Sequence, residues 1–361
     1  MPRLGAGLKR VEYASLEPIA MADKFPLLGI VGHDLKFLEG LSAHFALTNE
    51  VIQHYWDGHK KHDIKESEDL LGKADIIFCE WFLGNAVWYS QYKRQGQRLI
   101  VRFHLQELET EYPKQAKMDN IDCVVFVSKH TCRDAIDKFG WESLRDRFFV
   151  IPNAIDCAYY NRQKTAHSIY NIGIVGIAPK RKRLDLALDV LEACRSRDQR
   201  FKLFIKGKSP TEYTWLRNRP AELEYFTEQL DRITSNPVLR EGVVFDGWDA
   251  NMGEWYRKIG FILSVSDFEG THQSVAEGGA SGALPIMRNW EGADEVYRSD
   301  WIYADTNAMA TKVLEYSRNP RLWAADSAVC VHYMKSSFDV SLVARLYDQV
   351  LYGSAGVSNI R

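Results

Sequence analysis

Long apolar runs are missing from this sequence. No stretch approaches the roughly 18 apolar residues that a membrane-spanning helix needs, and no secretory apolar core follows Met1. Cysteine is sparse and unpatterned: the six (Cys79, Cys123, Cys132, Cys157, Cys194, Cys330) form neither a CxxC pair nor a zinc-ligand spacing. Several lie in apolar runs such as "ADIIFCEWF" and "DCVVFVS", where a thiol reads as a small core residue. Together these absences point to a reducing, cytoplasmic setting and exclude a disulfide scaffold. Peripheral contact with a membrane, at its inner face, is left open. Charge of one sign is lacking too, since Lys+Arg 46 against Asp+Glu 48 gives a net charge of -2. No global field then draws the protein to nucleic acid, and any anionic ligand must be held by local positive charge.

What is present is the composition of a soluble globular protein. With 361 residues, 46% hydrophobic and 26% charged, the chain has room for two domains of ordinary size. Residues 1–24 show no clear period and are expected to form an arm or an added edge element. From there to about residue 158, "PLLGIVG", "EVIQHYW", "ADIIFCEWF", "RLIVRFH", "DCVVFVS" and "RFFVIPN" read as strands, most of them apolar enough to be buried on both faces of a parallel sheet. Between them lie helix candidates. "DLKFLEGLSAHF" is one, and "KHTCRDAIDKFG" is another, with Ser128 as its N-cap and Gly140 closing it. "AIDCAYYNRQKTAHS" reads as an irregular linker, after which the pattern repeats over residues 168–335. That repeat comprises "YNIGIVG", the helix "RLDLALDVLEACRS", "RFKLFIKG", a long helical stretch from about Thr211 to Ser235, "EGVVFDGW", "GFILSVS" and "ALPIMR". Such alternation predicts two doubly wound units, and ligands of such sheets bind beyond the carboxyl ends of the strands. Residues 336–361 hold "DVSLVARLYDQVLYG", with apolar residues at helical spacing that either return to the first domain or pack within the second.

Two loops invite anions. After "YNIGIVG" come four consecutive cations, Lys180 to Arg183, at a predicted helix start. Cations there oppose the helix dipole, so helix stability does not explain them; an anion does. A phosphate about 4 Å from one of them gains on the order of 4 kcal/mol at an effective dielectric of 20. The plainer alternative is a solvated basic turn. In "GIVGHDLKF", Gly32 and His33 follow a strand as a possible phosphate or acceptor loop, although the absence of G-x-G-x-x-G favours a tight turn. Neither loop is a Walker motif.

The segment "SDFEGTHQSVAEGGASGALPIMR" is the most informative. A helix beginning near Thr271 or His272 leaves Glu269 in the strand-to-helix loop and Glu277 about one and a half turns in, both toward the cleft end. A carboxylate offers two acceptor oxygens, which match the paired hydroxyls of a ribose or sugar ring. A covered Glu277 needs a partner, because an unpaired buried carboxylate is costly. Gly278, Gly279, Ala280, Ser281 and Gly282 suit close helix packing beneath it. A single helical Glu would otherwise read as an ordinary exposed residue.

Glu269, seven residues, Glu277 and "GGASGALPI" resemble the signature E-G-(F/T)-x-x-x-x-x-E-A-x-x-x-G-x-P of retaining GT-B glycosyltransferases of family 4, the glycosyl transferases group 1. The order "VFVSKHTCRDAI", "VIPNAID", "IGIVGIAPKRKRLDLAL", "FKLFIKG", "VVFDGW", "WYRKIGFILSVSDFEG" is similar as well. The likeness covers about Asp122 to Arg288, and the first domain matches in outline only. It implies a GT-B fold, two Rossmann-like domains facing a cleft, with a C-terminal helix crossing back to the first domain.

The resemblance also implies roles. Glu277 would accept ribose hydroxyls of a nucleotide sugar, and Glu269 would hold hydroxyls of the transferred sugar. Lys182 stands where the family has the lysine that pairs with the donor diphosphate, with Arg181 or Lys180 as substitutes for a family arginine replaced by Ile177 after Gly176. Lys206, Gly270, Thr271, His272 and Gln273 would complete the donor site, and His104, ending "RLIVRFH", resembles the first-domain histidine near the donor sugar. In "NAID", Ala154 replaces a family glycine. No D-x-D motif is present, so cations and helix N-termini are expected to neutralise the leaving diphosphate, with no metal and no cofactor. The implied reaction transfers a sugar with retention, by front-face attack, from a UDP-sugar, or a GDP-sugar as second choice, to a hydroxyl of a glycan or lipid-linked glycan. Aromatics of "CEWFLGNAVWYSQYKRQGQR" line an acceptor groove, touch headgroups or fill the core. The rival readings are a non-catalytic sugar-nucleotide or glycan binding protein of the same fold and an NAD-dependent oxidoreductase, which would need the dinucleotide fingerprint that is absent.

Overall fold

A computed structural model describes residues 25–353; the arm expected over 1–24 lies outside the described residues. The first sheet contains β1 (Leu27–Gly32), β2 (Glu50–Tyr55), β3 (Ile76–Cys79), β4 (Arg98–Phe103), β5 (Cys123–Phe126) and β6 (Phe148–Val150). The second contains β7 (Asn171–Val175), β8 (Lys202–Lys206), β9 (Val243–Phe245), β10 (Phe261–Ser264), β11 (Leu284–Arg288) and β12 (Ile302–Tyr303). Their orders, β2-β1-β3-β4-β5-β6 and β12-β11-β10-β7-β8-β9, are those of doubly wound sheets, and every pairing is parallel. Each sheet therefore opens its switch point, between β1 and β3 and between β7 and β10, toward the shared cleft.

All eleven predicted apolar runs are strands; the twelfth strand, the two-residue β12, was too short to carry a period. Burial on both faces holds for β1, β3 and β5 but not for β2, an edge strand whose Glu50, Gln53 and Tyr55 are exposed. The helix Lys129–Phe139 has the expected ends: the Ser128 hydroxyl accepts from the Thr131 N–H, and Gly140 takes φ 71°.

Three expectations need correction. The stretch from Thr211 is not one helix but two short 3₁₀ turns, Pro210–Glu212 and Thr214–Asn218, followed by the helix Pro220–Ser235. Pro220, lacking an N–H, fits only the first turn of a helix and so sets its start. The linker is not wholly irregular, because Asp156 caps a single turn, Cys157–Tyr160. The tetrad Lys180 to Arg183 stands at a helix start as expected: Lys180–Lys182 form a 3₁₀ turn, Arg183 takes φ 55° as the N-cap, and the helix begins at Leu184. In the first domain, the helix after β1 starts only at Glu39, leaving a longer loop from His33 to Leu38.

The C-terminal segment crosses. The helix Pro320–Phe338 packs on the second domain, where Cys330 and Met334 lie in its core, and the helix Val340–Tyr352 returns to the first. There Val343, Ala344, Tyr347, Val350 and Leu351 share a core with Leu28, Ile30, Phe45 and Phe78. Arg98 Nε donates to the Val350 carbonyl (3.0 Å), and His44 meets Asp348 (2.9 Å).

Candidate active site

The loop between β10 and the helix Gln273–Ala280 builds the second-domain wall. His272, at φ 48°, precedes the helix as its N-cap, so Glu269 lies in the loop before it and Glu277 on it. A side chain at Gly279 would put its Cβ 2.4 Å from Met334, and one at Gly278 would be 2.9 Å from Ile262. The small-residue run thus packs the helix tightly on β10 and on Pro320–Phe338, as its composition predicts.

The two carboxylates are held in different ways. Glu269, 7% exposed, contacts Lys182 Nζ (2.5 Å) and Arg181 (3.3 Å). Burial alone would raise its carboxyl; His272, Lys182 and Arg181 overcome that and hold it well below the carboxylate range. Burial likewise lowers Lys182, partly offset by Glu269, and pushes His272 down to about 3. His272 Nδ1 meets Ser264 Oγ at 2.5 Å, while its buried Nε2 has no hydrogen-bond partner. Glu277, half-buried, has no cation: Tyr256 donates to it (3.0 Å), Gln273 donates to it (3.2 Å), and burial pushes its carboxyl up.

Of the cationic tetrad only Lys182 and Arg181 turn to Glu269. Lys180 lies over the Tyr225 ring (5.1 Å), and Arg183 is spent on Asp185 (2.7 Å) and Asp267 (2.9 Å). Gly176 adopts φ 69°, a left-handed conformation that favours glycine, and its N–H donates to the Lys206 carbonyl (2.8 Å). Ile177, which replaces the family arginine, is buried. Lys206 is buried too, and its ammonium pairs with Asp249.

The opposite wall comes from the carboxyl ends of β1, β3 and β4. His104 follows β4, its N–H donating to the buried Glu107 (3.1 Å). Its ring stacks between Trp81 (4.0 Å) and Phe37 (5.0 Å), and Nε2 meets Glu80 Oε1 (3.0 Å). His33 sits near Trp81 (5.8 Å) and His59 (4.9 Å). Gly32 has a packing role, since a Cβ there would lie 2.9 Å from Leu35 and 3.0 Å from the Glu80 carbonyl. The aromatic segment divides accordingly: Trp81 and Tyr89 are buried, whereas Tyr92 is exposed.

The walls touch. His130 Nε2 donates to the Glu269 carbonyl (2.8 Å), Arg133 reaches Glu295 (2.8 Å), and a Cβ at Gly270 would lie 3.4 Å from Leu105 and Val127. Thr271 offers its carbonyl to Tyr297 (2.7 Å). Gln273, named for the donor site, accepts from Asn153 (3.1 Å) and donates to Glu277 (3.2 Å). Sequence reasoning missed Glu80, Arg102 and Asn153. A signal existed, because Glu80 follows the apolar run "ADIIFC" and Arg102 interrupts "LIVRF", and buried charges of opposite sign imply a pair. Among the described residues no group of three or more His, Cys, Asp or Glu is arranged to hold a metal ion. No described helix is long and apolar enough to cross a membrane.

Residues 169–319 match the family model described as glycosyl transferases group 1. No curated protein matches the chain. Among solved structures it is similar to a glycosyltransferase from Rickettsia africae, with 15% identity, 92% of this chain and 100% of that chain covered, and a TM-score of 0.68. It is similar to Anabaena HepE in complex with UDP-glucose, with 11% identity, coverages of 91% and 100%, and a TM-score of 0.69. It is also similar to TarM of S. aureus, with 15% identity and a TM-score of 0.60; 77% of this chain is covered, which spans only 54% of the length of TarM. The second domain thus carries the glycosyl transferases group 1 match, and the chain as a whole has the two-domain α/β fold of GT-B glycosyltransferases.

Proposed function

We propose that this protein is a retaining, family 4 glycosyltransferase of the hexosyl-transferring kind. It moves a sugar from a nucleoside diphosphate sugar, UDP before GDP, to a hydroxyl of a glycan or lipid-linked glycan in polysaccharide biosynthesis, on the cytoplasmic side. One observation carries the reading. On a single strand-loop-helix unit, Glu269 is balanced by Lys182 and Arg181, while Glu277, eight residues on, is held by neutral donors alone.

In this reading the ribose hydroxyls donate to Glu277, whose charge lacks a cationic partner. The transferred sugar lies against Glu269, and Lys182 and Arg181, at the loop after β7, face the diphosphate. As the bond to the sugar breaks, negative charge grows on the β-phosphate, and these fixed cations stabilise it in a partly dry cleft without a metal. The acceptor hydroxyl approaches from the first-domain wall, on the same face as the departing phosphate, which takes its proton. His104 and Trp81 border that approach. HepE was solved with UDP-glucose, which supports the choice of UDP.

Thermal unfolding with UDP, GDP, ADP and NAD tests the donor site. The favoured nucleotide, at about 100 times its Kd, adds roughly 2.7 kcal/mol to the stability of the folded state. That gain shrinks in Glu277→Gln and is indifferent to a chelator. A response to NAD alone, or to none of the four, overturns the reading.

A further inference from the structure

A continuous line of side chains joins the two walls of the cleft. It starts at His104, whose Nε2 meets Glu80 Oε1 at 3.0 Å, so the proton sits on Nε2. Glu80 faces Arg102 (3.4 Å), and both are fully buried. Register places them together: Cys79 pairs with Val101 across β3 and β4, so the next residues, Glu80 and Arg102, stand side by side. The second guanidinium nitrogen of Arg102 donates to Asn153 Oδ1, Asn153 Nδ2 donates to Gln273 Oε1 (3.1 Å), and Gln273 Nε2 donates to Glu277 Oε1 (3.2 Å).

Chemistry fixes the direction of this line. A guanidinium only donates, so the oxygen of Asn153 must face Arg102 and its NH₂ must face Gln273. The oxygen of Gln273 then faces Asn153, and its NH₂ must face an acceptor, which Glu277 supplies. Neither amide can flip without turning two donors or two acceptors against each other. A chain of aligned donors between a cation and a carboxylate polarises along its length, so each bond strengthens the next. The domain boundary is crossed once, between Asn153 and Gln273. The other crossings use His130 on a backbone carbonyl and Arg133 on Glu295, and neither reaches His104 or Glu277.

We propose that Arg102, Asn153 and Gln273 form an interdomain clasp that holds His104 and Glu277 in register, making Asn153 and Gln273 positioning residues rather than ligand contacts. The effect on turnover rests on the transferase reading; the effect on domain geometry does not.

All six cysteines are buried. Spin labels on Asp137→Cys and Glu228→Cys, exposed positions on the first and second domains, therefore report the interdomain distance. Asn153→Asp keeps an acceptor for Arg102 but loses the donor to Gln273, and Gln273→Glu loses the donor to Glu277; melting temperatures confirm that each variant folds. The clasp requires a single narrow distance distribution in the unsubstituted background and a broader, longer one in Asn153→Asp, whereas Gln273→Glu, which keeps the oxygen that accepts from Asn153, leaves the distance as it was and frees Glu277 alone. It also requires that kcat fall by about 10–100-fold with the donor KM little changed. An unchanged distance distribution in Asn153→Asp overturns the clasp, and an unchanged kcat in both variants overturns its positioning role. A parent protein that neither binds UDP nor transfers sugar overturns the transferase reading instead, and the label distances still decide the clasp.

Discussion

Glu269 and Glu107 show how differently two buried carboxyls behave. Glu269 has two cations and is held in its charged form, whereas Glu107, fully buried, is met only by the backbone N–H groups of Phe82 (2.9 Å) and His104 (3.1 Å). Burial outweighs those bonds and pushes Glu107 up to about 8. An acid whose folded pKa is raised stabilises the fold least above that pKa: between about 4.3 and 8 the folded chain keeps a proton that the unfolded chain has lost, so stability falls as pH rises. Glu107→Gln, which keeps an oxygen for both N–H groups, is expected to stabilise the protein by on the order of 1–2 kcal/mol at pH 7–8 and by nothing near pH 4. Urea unfolding at the two pH values checks this. Among the described non-glycine residues, those with positive φ are Trp81 (69°), Arg183 (55°) and His272 (48°), and all three lie in the loops at the cleft. Such strain gathers where surrounding structure over-determines a residue, which is typical of functional sites. Arg183 is constrained by Asp185 and Asp267, His272 by Ser264, and Trp81 by its indole N–H on the Asp34 carbonyl (2.8 Å).

The helix Gln273–Ala280 is a poor helix by composition, with two glycines in eight residues. Propensity alone would make alanine better at either position by about 1 kcal/mol. Packing reverses that preference, because Gly279 faces Met334 and Cys330 with no room for a methyl group. Gly279→Val is expected to cost about 2–3 kcal/mol through overpacking and to displace Glu277 with the helix. Chemical denaturation measures the first effect, and loss of nucleotide-induced stabilisation measures the second. This element was legible in sequence because small residues and a lone Glu stand together in one short segment. The helix after Thr211 was misread because its amphipathic composition continues upstream of Pro220, and only the missing N–H marks the true start.

At the scale of the molecule, the helix Val340–Tyr352 covers one face of the first sheet while its chain neighbour, Pro320–Phe338, covers the helix of the carboxylates. The bridge Ile155 to Asp339 ties the linker to the joint between those two helices, and Val340 donates to the Ile155 carbonyl at 2.9 Å. The two domains are therefore expected to unfold as one unit. A chain ending at residue 338 exposes Phe45, Phe78 and their neighbours, so calorimetry should show the single transition split in two, the first domain melting earlier. A single unchanged transition would show that the crossing helix does not couple the domains.

Sequence by itself determined the twelve-strand alternation less one, the capped helix at Ser128, and the placement of Glu269 and Lys182 in loops that follow strands and of Glu277 on the helix after one of them. Each of these is local: period, capping chemistry and a motif within a few tens of residues. Tertiary structure alone decided which cations of the tetrad face the carboxylate, that Gln273 turns toward Asn153, and that Glu80 and Arg102 neutralise each other. Those outcomes depend on which strands become neighbours and how two domains meet. Burial then makes the pairing obligatory, because a charge that is cheap in an isolated strand is costly inside the sheet without its partner.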